Sequence, residues 1–389
     1  MMTDMLNIRN NERKNVGIYI HVPFCLSKCH YCDFCSVKRA DEEKKERYVE
    51  RLCEEIALVS RKIGEHGEIP YADTIYFGGG TPTLLSASQM ARVLEAVDDC
   101  FGIDTEAEIT VETNPKSADG KKFGEIRKVG VNRLSIGMQS VHDSELKALG
   151  RIHTFEDFKA TFEDARKAGF DNISADLMYG IPVQTKESFA KAVEKLAEFS
   201  PEHISSYALT VEEGTNFGRR RDSLVLPDED TVADMYADMT AILAGHGYHK
   251  YEISNFAKSG RESRHNLKYW RVDDYLGFGP AAHSFFGKKR FAHSRDIDAY
   301  LRGESIIIDL QDISDKEAEN EYVMLGMRLS GGMDLNKFRE RFGKELSERF
   351  PAFGKYTPEY VVLDRERCFF TEKGMLVSNF ILSDVLDFD

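Results

Sequence analysis

An α/β fold built on parallel strands is what the sequence predicts, and three observations carry the prediction. Short apolar segments at residues 17–24, 72–77, 107–112, 133–137, 172–177 and 203–208 alternate with stretches whose apolar residues recur every three or four positions, the helical period. The chain has 389 residues, more than the roughly 250 to 300 at which one hydrophobic core stops growing, so a large domain plus a smaller one is expected. Cys25, residues 78–81, Glu112, Gln139 and Asp176 stand at the carboxyl ends of five consecutive strands, where ligands gather in α/β proteins. Six βα units suit an incomplete barrel or an open doubly wound sheet, and periodicity does not separate the two.

Each element follows in order. After the first strand comes a cysteine-rich loop, then a helix from Asp41 to about Lys62 with Tyr48, Leu52, Ile56 and Val59 on one face. Further helices are expected near residues 86–97, 120–129, 154–168 and 185–199, one between each pair of strands. An acidic start at Asp228, Glu229 and Asp230 suits the amino end of a helix reaching Gly245. Residues 248–287, rich in aromatics, Gly and Asn, are expected as loops and short strands that close the large domain. From about Ser305 the chain is expected to be helical again, through residues 316–329 and 335–350, before a small β-hairpin and a short helix. The division expected is an N-terminal extension 1–16, a barrel with its closing segment 17–304, and a mainly helical C-terminal domain 305–389.

Composition narrows the function. Lys and Arg number 52 against 66 Asp and Glu, a net charge of −14, which repels a phosphate backbone and argues against a general nucleic-acid binder. Arg219, Arg220 and Arg221 are expected as solvated surface. Residues 1–16 lack an apolar core and so do not look like a signal peptide, and no apolar run approaches the roughly 18 residues that span a bilayer. Seven cysteines, four of them within residues 25–35, do not suit a secreted disulfide framework. A reducing cytoplasm is the expected compartment.

The chemistry is expected at Cys25, Cys29 and Cys32. Thiols spaced C-x3-C-x2-C on a loop leaving a strand can turn toward one point, and three thiolates leave one iron of a four-iron four-sulfur cluster unliganded. The competing reading is structural zinc, which usually pairs C-x2-C with a second such pair or with two His, and neither is present. Cys35 reads as a bystander. Gly78, Gly79 and Gly80 offer bare backbone that an amino-acid ligand could approach closely.

Tyr19-Ile-His-Val-Pro-Phe-Cys25-x3-Cys29-x2-Cys32 with Gly78-Gly-Gly-Thr-Pro82 resembles the radical S-adenosylmethionine superfamily, in its coproporphyrinogen III oxidase-like branch. The resemblance continues through Glu112-Thr-Asn-Pro115, residues 132–139, residues 176–182 and residues 207–210. It implies an incomplete (β/α)6 barrel with cluster ligands Cys25, Cys29 and Cys32. It implies S-adenosylmethionine contacts at Tyr19, Tyr31, Gly79, Gly80 and Thr81, and at Glu112, Gln139, Arg151, Asp176 and Ala208. The residue types agree: backbone for the methionyl amine, a carboxylate and an amide for hydroxyls, Arg151 for the carboxylate. In such families an electron from the cluster cleaves the sulfonium to a 5′-deoxyadenosyl radical.

A second constellation is His265, Asn266, Tyr269 and Trp270, the last being the single Trp of the chain. Aromatics beside an imidazole suit the edge of a flat macrocycle with iron in reach, although a His among aromatics is more often a hydrogen-bonded core residue. The spacing H-N-x-x-Y-W resembles the haem chaperone branch, as does Phe34, an aromatic where the true oxidases place a fourth Cys. His265 is the candidate haem contact, with His21 and His283 ranked below it. The resemblance therefore implies haem as cargo, a haem-acceptor protein, and an electron donor where radical chemistry occurs, with peripheral contact to membrane proteins and a homodimer left open. The alternative is an oxygen-independent coproporphyrinogen III oxidase. The C-terminal domain is expected to cover the barrel mouth, because a radical site excludes water.

Overall fold

In the computed structural model the described residues are 14–304 and 307–387. Most of the expected extension 1–16, and residues 305–306 at the expected domain boundary, lie outside the described residues.

Six parallel strands, Asn15–Val22, Tyr71–Gly79, Ile103–Thr113, Arg133–Gln139, Ile173–Tyr179 and His203–Ala208, pair with one another in chain order. A doubly wound sheet reverses its strand order at a switch point. No reversal occurs among these six, so they form an incomplete (β/α)6 barrel. Helices Glu42–Gly64, Ala87–Phe101, Gly120–Lys128 and Phe155–Lys167 lie side by side outside it, and Lys186–Phe199 packs against Glu229–Gly245. Asp41, Ser86, Asp119, Thr154, Thr185 and Asp228 cap these six helices, each accepting a backbone N–H in the first turn. The sheet extends past the barrel on both edges. Tyr275–Phe278 joins the first strand in parallel and is followed by antiparallel His283–Phe286, Lys289–His293 and Ile307–Asp312; Asn255–Ala257 and His249–Lys250 add to the sixth. Ile307–Asp312 corrects the helical reading of the chain from about Ser305: its edge pairing is a tertiary contact that local periodicity does not register.

The two faces of the barrel strands differ in chemistry. Ile75, Phe77, Val111, Leu134 and Ile136 are buried in the main apolar core. Residues of the other parity, Thr74, Tyr76, Glu108, Thr110, Glu112, Arg133, Ser135, Ser174, Asp176, His203 and Ser205, turn to the inside, as period two requires. The register sets Tyr19 beside Tyr76, Tyr76 beside Thr110, and Thr110 beside Arg133, while Gly137, Asp176 and Ser205 form a second row.

The amino end of this polar interior is stopped by a helix, Arg264–Arg271, within the segment expected to hold loops and short strands. Eight residues are too few for a periodic signal, and the helix is held by distant groups. The Glu108 carboxylate accepts the N–H groups of Arg264 and His265 at 3.2 and 3.1 Å, and Ser263 caps the first turn. Lys268 pairs with Asp73 at 2.8 Å, both largely buried.

The C-terminal part has its own apolar cluster, with Val323, Met327, Phe338, Val361 and Cys368 fully or almost fully buried. It holds helices Asp315–Gly326 and Leu335–Phe342, and a three-stranded sheet with Arg367–Phe370 between Met333–Asp334 and Val361–Leu363. Arg341 donates to the Val272 carbonyl at 3.0 Å, and Ser330 N–H to the Tyr251 carbonyl at 3.0 Å. These contacts lie on the stopper helix and the segment before it. The expectation that this part covers the barrel mouth is therefore corrected, because residues 248–287 carry the chain back across the amino ends of the strands before it begins.

Lys268→Ala leaves Asp73 buried without its cation. Urea unfolding is expected to show a loss of ~3 kcal/mol relative to the parent chain.

Candidate functional site

The cysteine loop is tied down at both ends. Phe24–Cys25 pairs in parallel with Val37–Lys38, and Arg39 N–H donates to the Cys25 carbonyl at 3.0 Å. Cys32 N–H turns back to the Cys29 carbonyl at 3.3 Å, and His30 N–H reaches the Leu149 carbonyl at 2.9 Å. Cys25 is buried and Cys29 and Cys32 are half-buried. Burial pushes the Cys25 thiol up and the Cys32 thiol up to about 11.

The glycine run lies against this loop. Gly80 N–H donates to the Val22 carbonyl at 2.8 Å and Thr81 N–H to the Phe24 carbonyl at 2.7 Å. A Cβ on Gly80 would stand 2.5 Å from the Phe24 carbonyl oxygen and 2.8 Å from that of Val22. Gly79 has φ +101°, and a Cβ there would meet the His21 ring at 2.6 Å. The protein's own backbone thus requires these two glycines, a role beyond the bare ligand cradle expected of them. Thr81 Oγ1 lies 3.9 Å from Cys25 Sγ.

Arg151 reaches the same place from the far side. Its guanidinium donates to Cys29 Sγ at 3.5 Å, to the Gly137 carbonyl at 2.7 Å and to Asn114 Oδ1. Gln139 closes the fourth strand, 8% exposed and at φ +68°; a left-handed non-glycine residue costs of order 1 kcal/mol and is tolerated where the surroundings fix it.

Glu112 and Asp176 sit half-buried on the inner wall. Glu112 accepts Tyr76 Oη at 2.9 Å and Gly79 N–H at 3.2 Å, and Asp176 accepts Ser135 Oγ at 3.1 Å. Loss of water raises Glu112 to about 7, with a further push from the Asp176 charge, against the pull of Tyr76 and Gly79. Loss of water likewise raises Asp176 to about 6, against its Ser135 hydrogen bond and the Arg133 charge. Neither forms an ion pair among the described residues.

The remaining expected residues divide. Tyr19 donates toward His21 Nδ1 at 3.2 Å and stacks on Tyr76, ring centroids 6.3 Å apart. Tyr31 packs on a small cluster of Leu149, Met178, Ile181 and Phe217, and Ala208 is exposed at the end of the sixth strand. His21 is 3% exposed and its Nε2 faces the Cys35 carbonyl at 2.8 Å, while Cys35 Sγ points to the Arg295 carbonyl at 3.2 Å. The H-N-x-x-Y-W residues do not share one surface. His265, 1% exposed, engages Thr74 Oγ1 through Nδ1 at 2.8 Å and Tyr269 Oη through Nε2 at 2.9 Å, and stacks under Tyr76 at 5.3 Å. Burial lowers it to about 3. Trp270 instead lines a separate cleft of about 640 Å³ against Tyr322, Met333 and Arg341, and Asn266 contributes its N–H to the Ser263 cap. His283 is exposed at the start of a strand paired on both sides.

Tyr76, Arg133 and Ser135 are inner-wall residues that the sequence reading passed over. Arg133 is 1% exposed, and its Nη1 lies 3.5 Å from Thr110 Oγ1. The available signal was polar residues alternating with apolar ones inside strands that sequence had taken as simply buried.

A folded carboxylate whose pKa lies above its unfolded value contributes most below the unfolded value, and that contribution is lost as pH rises through the folded one. For Glu112 the window runs from 4.5 to about 7, and for Asp176 from 3.8 to about 6. The ligand-free protein is therefore expected to lose stability between pH 5 and 7. Glu112→Gln should recover ~1 kcal/mol at pH 7.5 and nothing at pH 4, a value well below the full shift because the group is partly solvated; equal effects at both pH values would contradict this origin.

Residues 19–196 match the Radical SAM superfamily and residues 313–377 the HemN C-terminal domain. Over 373 residues the chain is 34% identical to a Bacillus subtilis protein named heme chaperone HemW, covering 93% of this chain and 96% of that one. The Escherichia coli protein of the same name is 38% identical over 285 residues, 72% of each chain. Among solved structures, coproporphyrinogen III oxidase (HemN) from Escherichia coli superposes with a TM-score of 0.85 at 22% identity, covering 100% of this chain and 92% of that one, which establishes a shared fold. With its cysteine loop, inner-wall carboxylates and C-terminal module in this arrangement, the chain belongs to the radical SAM superfamily, in the family whose bacterial relatives are named heme chaperone HemW.

Proposed function

We propose that this chain binds haem and passes it to an acceptor protein, on a scaffold that holds an iron–sulfur cluster and S-adenosylmethionine. The observation that carries the proposal is 34% identity across 96% of a relative named heme chaperone.

Cys25, Cys29 and Cys32 are the proposed cluster ligands, on one loop tied down at both ends and with the C-x3-C-x2-C spacing of the family to which the chain belongs. A tetrahedral zinc site draws its sulfurs within about 2.3 Å of one ion, whereas thiolates of a four-iron cluster bind separate irons. The S-adenosylmethionine set proposed is Tyr19, Tyr31, Gly79, Gly80, Thr81, Glu112, Gln139, Arg151, Asp176 and Ala208. Glu112 and Asp176, in no ion pair among the described residues, suit a ligand that carries a sulfonium and an ammonium. When bound, the cluster and S-adenosylmethionine supply one-electron chemistry. Arg151 holds Cys29, Asn114 and Gly137 in one constellation, and Thr81 lies beside Cys25.

Of the haem candidates His265, Asn266, Tyr269 and Trp270, His265 and Tyr269 are proposed to serve haem by shaping the floor of the barrel, Asn266 by holding the first turn of their helix, and Trp270 from the separate cleft it lines. Both His265 nitrogens are engaged, so axial ligation by His265 requires one of them to give up its partner, Thr74 at Nδ1 or Tyr269 at Nε2, for iron. Residues 17–304 and 305–389 are proposed as the two domains, and the reducing cytoplasm as the compartment. No helix among the described residues is long and apolar enough to cross a membrane.

Anaerobic reconstitution is expected to load about four irons and four sulfides per chain, with loss on Cys25→Ser, Cys29→Ser or Cys32→Ser. Added haem should give a Soret band. Cluster-loaded protein that gives no Soret band would sink the proposal, and conversion of coproporphyrinogen to protoporphyrinogen under reductant would put the oxidase reading in its place.

A further inference from the structure

The run Arg219-Arg220-Arg221 was expected as solvated surface, and the fold gives it a more particular position. It forms a short 3-10 turn, Gly218–Ser223, that follows the sixth strand. Phe217, immediately before it, is 1% exposed in the cluster with Leu149, Met178 and Ile181. Phe217 N–H donates to the His30 carbonyl at 2.9 Å, and the two rings are 5.7 Å apart. His30 lies between Cys29 and Cys32, so the arginine turn is rooted on the cysteine loop. The turn is also built tightly. Thr215 Oγ1 donates to the Glu212 carbonyl at 2.6 Å and accepts Gly218 N–H at 2.9 Å. A Cβ on Gly218 would stand 2.2 Å from the Glu212 carbonyl oxygen.

In a chain of net charge −14, none of the three guanidinium groups is in an ion pair among the described residues. Arg295 on the other side of the loop pairs with Asp33, and Arg166 pairs with Glu202. Arg221 instead donates to the Val211 carbonyl, and Arg220 lies over the Phe217 ring. Large apolar side chains are also exposed on the segments at and beyond the carboxyl ends of the strands: Phe34 at 62%, Ile152 at 53%, Val183 at 67%, Tyr207 at 44% and Val225 at 84%. Exposed apolar side chains and a cationic turn on the loops at the same end of the barrel suit a flat apolar molecule bearing carboxylates on one edge.

We propose that Arg219, Arg220 and Arg221 hold the two propionates of haem at the barrel mouth, with the macrocycle lying on the exposed apolar rim. The proposal rests on the haem reading above and adds the place and the polarity of binding.

Purified full-length protein is titrated with haem and with haem dimethyl ester, whose propionates are capped, following the Soret band. The parent chain is expected to bind haem about tenfold more tightly than the diester, the effect of ~1.4 kcal/mol of carboxylate recognition. The variant Arg219→Ala/Arg220→Ala/Arg221→Ala should lose that preference and bind both near the parent's diester affinity. The matching triple Lys variant, which keeps the charges, should retain part of it. Equal binding of haem and diester by the parent, or an unchanged preference in the Ala variant, overturns the proposal while leaving haem binding intact. Binding of neither ligand by the parent overturns the haem reading itself.

Discussion

A backbone-to-backbone contact sets the geometry of the whole mouth. Gly80 lies so close to the carbonyls of Val22 and Phe24 that no side chain fits between them. That contact joins the loop after the second strand to the end of the first, and the consequences run outward. Thr81 is carried to Cys25, Gly79 to the Glu112 carboxylate and the His21 ring, and the cysteine loop is fixed relative to the inner wall. Parallel pairing of the two strands through residue 79 keeps these loops in register. A strand shifted by one residue would turn Tyr19 and Tyr76 outward and bring apolar side chains inside.

The barrel is not filled as an ordinary core. Its outer surface buries Val, Ile, Leu and Phe against the helices, while its inner surface carries three carboxylates, a guanidinium, several hydroxyls and three Tyr and His rings stacked in a column. Polar groups away from water are costly unless they are paired. Here they are paired mainly with one another: Tyr76 with Glu112, Ser135 with Asp176, Ser174 with His203, Thr74 with His265. The stability of the scaffold is therefore concentrated outside the barrel, and the interior is reserved for polar recognition.

Much of this was legible in the sequence. The six strands and the helices between them follow from periodicity and N-cap residues, and the placement of Cys25, residues 78–81, Glu112, Gln139 and Asp176 follows from the rule that ligands gather at strand ends. Periodicity did not choose between barrel and doubly wound sheet, because that depends on which strands become neighbours; the barrel was expected only from the resemblance of the cysteine and glycine motifs to a known family. The helix Arg264–Arg271 was not legible. Its eight residues are held by Glu108 and Asp73, more than 150 positions away, and nothing local distinguishes it from a loop. His265 illustrates the limit well. Its neighbours in sequence suggested a ligand, whereas its neighbours in space, Thr74 and Tyr269, occupy both nitrogens. Arg219 to Arg221 err in the other direction, since a charge run says nothing about which loop its neighbouring Phe217 will anchor.

The stopper helix has a kinetic corollary. Among the described residues Arg264–Arg271 closes the amino end of the incomplete barrel, which leaves the end with Cys29, Arg151 and the loops beyond the strands as the axial approach. A small molecule held at Glu112 and Asp176 would lie behind anything large and flat resting across that end. Occupants would then have to arrive smallest first and depart largest first, so the order of addition, more than the affinity of either alone, would govern how quickly the vessel fills and empties.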